Sequence, residues 1–394
     1  MPKIKNQAPA INELLQRGVA EVISRVSLEA KLKNGRPLRV KLGIDPTSPN
    51  LHLGRSIPLL KLRQFQQLGH QAIFIIGDAT AEIGDASDKD SERPMLSPEQ
   101  VRQNLKTYIE QAGKIIDIKK ATILKNSKWL KNFGLTEIYK LAGASSVNDF
   151  LNRENVKKRM QAGKRVSVRE MIYPLMQAYD SIQVKADVEL GGTDQRFNLL
   201  TGRQLQPLYG QAPQDLLLTD LIEGTDGRKM SSSWGNTVDL TDSAQDMFGK
   251  IMSLRDELIM TYFIHCTTLP LDEVEQFNKQ LKGGANPRDI KLELAKELVS
   301  FYHGAKAAGV EEQRFISQFS RHELPAEIPS YKLKKGQRLL EVLAAAKVVT
   351  SRSEAHRLLE QGALKIDQKK VSRDCDLRPG QVIQAGKRKF LKLQ

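Results

Sequence analysis

Cysteine is scarce in this chain. The only two, Cys266 and Cys375, lie far apart and outside any Cys-x-x-Cys spacing. That argues against a disulfide framework and against a zinc site, and it predicts two reduced thiols in a cytosolic protein. Long apolar runs are also missing. The longest, such as Ala72-Ile73-Phe74-Ile75-Ile76, are strand-sized and far too short to cross a bilayer. The stretch Met1-Pro2-Lys3-Ile4-Lys5-Asn6-Gln7 has no apolar signal core. No internal repeat and no low-complexity tract stands out. These absences predict a soluble protein of the cytoplasm.

The chain has 394 residues, 40% of them hydrophobic, enough for two or three packed domains. Its formal net charge is +15, and the excess is unevenly spread. Residues 331–394 hold 16 Lys or Arg against 6 Asp or Glu, so this tail carries +10 of the total. A basic surface merely solvated by water is one reading of that excess. Its concentration in one segment favours a polyanionic partner.

The apolar pattern predicts a helix over 10–34, a strand over 38–44, a helix over 56–68 ending at Gly69, and a buried strand over 71–76. Strand, helix and strand make a βαβ unit and predict a doubly wound parallel sheet. The polar stretch 77–98 reads as loop, and 99–117 as helix. Further strands are expected at 121–124, 187–190 and 215–218, with a helix near 195–203. Ser167-Val168-Arg169-Glu170 is a capping box opening a helix toward Tyr179. Residues 241–319 read as almost wholly helical, and Pro325 and Pro329 mark a linker. Beyond it the pattern gives helices at 339–346 and 353–361, then short strands at 364–366, 382–384 and 390–393.

Two segments carry chemistry. Asp45-Pro46-Thr47-Ser48-Pro49-Asn50-Leu51-His52-Leu53-Gly54-Arg55 runs from a strand end to a helix start. Backbone N–H groups and the positive helix end suit an anion there, Gly54 admits a ligand close to the backbone, and His52 can donate to a phosphate oxygen. Far downstream, Lys229-Met230-Ser231-Ser232-Ser233 follows the Gly-rich Glu223–Arg228, a loop that can close over a leaving group. The pair resembles the two signatures of class I aminoacyl-tRNA synthetases. Gly77–Asp85, the spacing Tyr173-x-x-x-Gln177-x-x-Asp180 and Gly191-Gly192-Thr193-Asp194-Gln195 narrow the resemblance to bacterial tyrosyl-tRNA synthetases, over roughly Asn12 to Gln394.

This resemblance implies a Rossmann-like α/β catalytic domain over 1–240, with a dimer-forming insertion near 117–151. A helical domain over 241–324, a linker over 325–336 and a small α+β domain over 337–394 complete the expected order. It implies activation of tyrosine by ATP, carried by Mg²⁺ with no dedicated protein site, then transfer to tRNA(Tyr), in a homodimer. Catalysis is expected from His52, Gly54, Arg55, Lys229, Ser231, Ser232 and Ser233. ATP is expected on Leu42, Gly43, Asp45, Thr47, His52, Gly54, Gly191, Asp194, Lys229 and Met230. Tyrosine is expected on Lys41, Asp45, Thr80, Asp85, Tyr173, Gln177, Asp180 and Gln195. Asp85, Tyr173 and Gln177 would take the ammonium, which only donates. Asp180 would accept the phenol O–H, and Gln195 would reach the carboxylate. Tyr173, Gln177 and Asp180 share one helix face by spacing.

Three positions depart from the family pattern. Arg55 stands where a second His is usual, and its guanidinium can still reach phosphate. Ser232 removes one cation from the downstream loop and leaves Lys229 and Arg228. Lys41 stands where many members have a Tyr that also reads the phenol; it would need a partner such as Asp180 or a water, or else point outward. The tail, through Ser351–Ala355, Arg357, Gln361–Ile366, Lys369 and Val371, resembles the S-four-type RNA-binding domain. Arg352, Arg357 and Lys365 would then form a face for tRNA phosphates and 2′-hydroxyls. A tryptophan-specific sister enzyme and a non-catalytic RNA-binding paralogue remain the alternatives.

Overall fold

The computed structural model describes residues 7–85, 95–317, 328–334, 336–346, 348–349, 351–386 and 389–394. Its first difference from the sequence reading lies near the start. The single helix expected over 10–34 is two, α1 (Ala8–Gln16) and α2 (Arg25–Lys33), with strand β1 (Val19–Ile23) between them. Gly18, at φ +61°, adopts a backbone that ends a helix cheaply only at glycine. The β-branched Val19, Val22 and Ile23 then favour extended chain, and sheet pairing decides the outcome over helical spacing.

The βαβ unit is as expected: β2 (Arg39–Ile44), α3 (Leu53–Gln67) and β3 (Gln71–Ile76). The first half of the expected 77–98 loop is instead a helix, α4 (Asp78–Ile83), and Pro94 lies outside the described residues. The expected helix over 99–117 divides into α5 (Pro98–Leu105), opened by a Ser97–Gln100 capping box, and α6 (Tyr108–Gly113). Strand β4 (Thr122–Lys125) precedes α7 (Ser127–Leu130), α8 (Leu135–Gly143), α9 (Val147–Leu151) and α10 (Glu154–Gln161). Helix α11 (Val168–Val184) starts at the expected capping box of Ser167 and Glu170. Glu170 is also gripped by Arg159 of α10, Nη1 to Oε2 at 2.5 Å, with both side chains buried. Strand β5 (Val188–Gly192), a 3₁₀ turn (Thr193–Gln195), α12 (Arg196–Leu205) and β6 (Asp215–Thr219) complete this part.

The six strands form one sheet in the order β1-β6-β5-β2-β3-β4. All neighbours are parallel except β1 and β6. Successive strands run outward from β2 through β3 to β4, then the chain returns to the other side of β2 as β5. That reversal between β2 and β5 is the switch point at which α/β sheets open a crevice beyond their strand ends. Central strands are buried on both faces, as Leu42, Phe74, Leu190 and Leu217 show on one face and Ile73, Ile75, Leu216 and Leu218 on the other.

Helices α13 (Ala244–Met252), α14 (Ile259–Cys266), α15 (Leu271–Lys282), α16 (Pro287–His303) and α17 (Ala305–Phe315) follow. Helices α13 to α16 and most of α17 belong with the sheet to one compact unit, Met1–Glu312. Buried Arg17 ties the two parts, donating to the carbonyls of Phe263, Ile264 and Thr267 at the end of α14. The unit Gln313–Gln394 contains β7 (Ser330–Tyr331), α18 (Leu339–Ala345), α19 (Arg352–Glu360), β8 (Leu364–Ile366), β9 (Lys369–Lys370), β10 (Val382–Ala385) and β11 (Lys389–Leu393). Its five strands run β7-β11-β10-β8-β9 over a core of Leu339, Leu343, Leu364, Ile383 and Leu391. The expected linker Pro325 lies outside the described residues. No helix among the described residues is long and apolar enough to cross a membrane.

Candidate active site

One cavity of about 240 Å³ opens at the carboxyl ends of β2, β3 and β5. Every residue expected to meet ATP or to act in catalysis lines it, and so does every expected tyrosine contact except Lys41. Sequence distance is therefore spanned by topology: Asp45 follows β2, Asp85 follows α4, Tyr173 and Asp180 sit on α11, and Asp194 follows β5.

The floor of the cavity is a continuous chain of polar groups. Tyr173 Oη donates to Asp45 Oδ2 at 2.9 Å, and Thr80 Oγ1 donates to Asp45 Oδ1 at 2.7 Å. Asn126 Nδ2 donates to Thr80 Oγ1 at 2.9 Å and to Asp180 Oδ2 at 3.2 Å, while Trp129 Nε1 donates to Asp180 Oδ1 at 2.7 Å. Gly77 makes this possible, since a Cβ there would lie 1.9 Å from Asp45 Oδ1. Burial pushes the Asp180 carboxyl up to about 7, against the pull of Lys41, Trp129 and Asn126. Burial and Asp45 hold the Tyr173 phenol protonated. Gln177 Oε1 is a buried acceptor with no hydrogen-bond partner among the described residues. Gln195 Nε2 donates to Asp85 Oδ2 at 2.7 Å, which sets both at the rim.

The phosphate side is built differently. Burial, with Arg55 and Lys229 nearby, brings His52 down to about 3, so its ring is neutral and keeps one N–H to give. Arg55 lines the cavity, but its donors hold the loop: Nη2 to Thr47 Oγ1 at 2.8 Å, Nη1 to Tyr108 Oη at 2.7 Å and to the Asp45 carbonyl at 3.3 Å. It thus shapes the loop at whose edge the expected phosphate contact would form. The downstream loop is seated on this one. Met230 Sδ accepts from the Gly54 N–H at 3.2 Å, Ser232 and Ser48 hydroxyls lie 3.3 Å apart, and Lys229 Nζ meets Asp194 Oδ2 at 3.1 Å. Ser231 and Ser233 line the same wall. Arg228, counted from sequence as a second cation of this loop, is not in the cavity wall; it pairs with Asp226 and stacks over Trp234.

The chain's residues 33–320 match the family described as tRNA synthetases class I (W and Y), and residues 337–383 match the S4 domain. It belongs to this class I synthetase family. A tyrosine–tRNA ligase of Carboxydothermus hydrogenoformans is 47% identical over 97% of this chain and 97% of its own. One of Shewanella oneidensis is 46% identical over 96% and 97%. Among solved structures, a C-terminally truncated mitochondrial tyrosyl-tRNA synthetase of Aspergillus nidulans has the same fold, with TM-score 0.67 and 22% identity over 79% of this chain and 94% of that one. So does the Archaeoglobus fulgidus tyrosyl-tRNA synthetase complexed with L-tyrosine, with TM-score 0.62 and 22% identity over 76% and 99%.

Against the family pattern, Lys41 needs correction. It neither lines the cavity nor pairs with Asp180 or water-facing space. Its Nζ is fully buried behind α11, 2.7 Å from Glu189 Oε1, 2.8 Å from Ser181 Oγ and 3.0 Å from the Gln177 carbonyl. The sequence reading also missed Tyr108, Asn126, Trp129 and Asn236. Asn126 and Trp129 follow β4 and could have been found by asking what lies beyond that strand's carboxyl end. Asn236 had no signal. Buried, it donates to the Lys229 carbonyl at 3.0 Å and Asp226 Oδ1 at 2.7 Å, and accepts from the Ser231 N–H at 2.9 Å. It staples the loop that carries Lys229. Replacing Asn236→Ala is expected to lower kcat of ATP–pyrophosphate exchange roughly tenfold, the effect of about 1.4 kcal/mol. KM for tyrosine should stay within about twofold, because the tyrosine floor is untouched. Steady-state exchange kinetics decide this.

Proposed function

We infer that this cavity performs tyrosine–tRNA ligation. The observation that carries the assignment is the buried carboxylate of Asp180 at the end of a cavity whose centre is Asp45, Tyr173 and Gln177. Such a slot suits an aromatic amino acid with an ammonium at one end and a hydroxyl at the other. In the first step a tyrosine carboxylate oxygen attacks the α-phosphorus of ATP; the new O–P bond forms as the bond to the bridging oxygen breaks, and pyrophosphate leaves. No enzyme nucleophile is needed, so alignment and charge stabilisation supply the rate. Asp85, Tyr173 and Gln177 take the ammonium; Gln177 Oε1 is a buried acceptor without a partner among the described residues, and a donor-only group completes it. Leu42, Gly43, Thr47, His52 and Gly54 hold adenosine and phosphates, Gly191 and Asp194 the ribose, and Lys229 and Met230 the closing side. In the second step the hydroxyl of the tRNA's terminal adenosine attacks the adenylate carbonyl and AMP leaves.

Among the described residues no group of three or more His, Cys, Asp or Glu is placed to hold a metal ion. We assign Mg²⁺ to the ATP phosphates, which supply most of its ligands, and derive no step through it. We assign residues 1–240 to the catalytic domain, 241–324 to the helical domain, 325–336 to a linker and 337–394 to the RNA-binding domain. The protein is proposed to act in the cytoplasm.

Phenylalanine leaves Asp180 buried without its hydroxyl partner, the discrimination for which tyrosyl-tRNA synthetases are the standard example. The expected result is ATP–pyrophosphate exchange with tyrosine and not with tryptophan or phenylalanine. Exchange with tryptophan alone would make the chain the sister enzyme; no exchange with any amino acid would leave it a non-catalytic paralogue.

For tRNA, Arg357 is exposed on α19 and Lys365 half-buried on β8, while the Arg352 side chain lies outside the described residues. Replacing Arg357→Glu with Lys365→Glu should leave exchange unchanged and lower tRNA charging about tenfold at low salt, with the gap to the unmodified protein narrowing as salt rises. Equal loss of both activities would remove the tRNA-binding role.

A homodimer is supported by exposed apolar side chains within 117–151: Leu135 at 66%, Tyr139 at 68% and Val147 at 54% exposure. Tyr139→Asp should shift the sedimenting mass from dimer to monomer; an unchanged dimer would place the interface elsewhere.

A further inference from the structure

The most unusual buried group outside the cavity is Lys41. In the parallel pairing of β2 with β5, Lys41 stands directly beside Glu189, so both side chains leave the same face of the sheet toward α11. Neither is exposed, at 0% and 1%. The surrounding network closes around them: Ser181 Oγ donates to Glu189 Oε2 at 3.0 Å, and Gln214 Nε2 donates to the same oxygen. Gly202 on α12 leaves the space, since a Cβ there would come 2.8 Å from Gln214 Nε2 and 3.3 Å from Ser181 Oγ. An ion pair buried this fully contributes little net stability over apolar packing. Its position is more telling. Lys41 Nζ holds the Gln177 carbonyl and the Ser181 hydroxyl, and Asp180 lies between those two residues on α11.

We propose that Lys41 is a positioning residue for phenol recognition: anchored on Glu189, it clamps the 177–181 stretch of α11 and presents Asp180 to the ring hydroxyl of tyrosine without touching the substrate. This rests on the reading that Asp180 accepts the phenol O–H. The clamp fixes the helix from behind while Asn126 and Trp129 fix the carboxylate from the front. It also supplies the positive field that favours the ionised carboxylate, which a donating phenol requires. The charged and titratable groups facing Asp180 are Lys41 on β2 with Glu189 behind it on β5, Asp45 beyond β2, and Tyr173 on α11 itself; Asp85, after α4, acts on Tyr173. Asp45 opposes ionisation, and among the described residues Lys41 is the cation set against it. A carboxylate whose titration lies near 7 gives KM for tyrosine an acid limb there: KM falls as pH rises and Asp180 gives up its proton.

The test is ATP–pyrophosphate exchange with tyrosine and phenylalanine from pH 6 to 9, on the full chain. Lys41→Met with Glu189→Gln removes both charges together and avoids a lone buried ion. The expected result is an acid limb moved up by about one pH unit or more, and at least about a tenfold loss of tyrosine over phenylalanine preference at pH 7.5, with KM for ATP unchanged. Ser181→Ala, a one-atom deletion that keeps both charges, should raise KM for tyrosine about threefold with the limb in place. A limb and a preference equal to the unmodified protein's in the double variant, or an unchanged KM for tyrosine in Ser181→Ala, overturns the proposal. Asp180→Asn separates the two readings. If it abolishes the preference while the Lys41 variants do not, only the clamp falls; if it leaves the preference intact, phenol recognition by Asp180 falls and the clamp with it.

Discussion

The Asp45 carboxylate, held at the end of the central strand, is the interaction on which the site depends. It accepts from Tyr173 and Thr80 on two separate helices, its backbone carbonyl accepts from Arg55, and Gly77 lies so close that no larger residue fits. Three segments, one at Arg55, one at Gly77 and Thr80 and one at Tyr173, thus converge on one residue. β2 can serve this way because it is the strand from which the sheet is built outward in both directions. The cavity is the geometric result of that topology; Tyr173, Asp45, Thr80 and Asp180 line it, and Asn126 and Trp129, outside that lining, hold Asp180.

The two halves of the cavity use different physics. The tyrosine side is buried and rich in paired acceptors, so each group left without its partner is costly. The phosphate side is made of loops whose cations are already occupied: Arg55 by Thr47 and Tyr108, Lys229 by Asp194. Under the proposed function, substrate phosphates and ribose compete with these internal bonds. On that reading the site is buried and largely paired where it takes the amino acid and exchangeable where it takes ATP.

Much of the cavity's lining was legible in the sequence because the candidate catalytic side chains cluster at turns with distinctive composition. His52, Gly54, Lys229 and Asp194 sit in such turns, and Tyr173, Gln177 and Asp180 follow helical spacing. The parallel sheet was legible from its apolar runs. What failed did so for identifiable reasons. β1 was hidden because its apolar spacing fits a helix, and only its pairing to β6 makes it a strand. Asn236, Asn126 and Trp129 carry no local pattern; their roles exist only after the chain has folded back. Lys41 was misplaced because a lysine between apolar residues says nothing of which face it takes, and its partner lies 148 residues away.

The side-by-side placement of Lys41 and Glu189 has a consequence for descent. The tyrosine of the family pattern at position 41 cannot be reached from this pair by changing either residue alone. Losing the lysine first strands a carboxylate in the sheet interior; losing the glutamate first strands an ammonium, and either is worth several kcal/mol. Gly202, Ser181 and Gln214 are packed around the pair and add to what holds it. The two charges behind α11 can therefore be given up only together, and the interior of the sheet keeps each residue in place through the other.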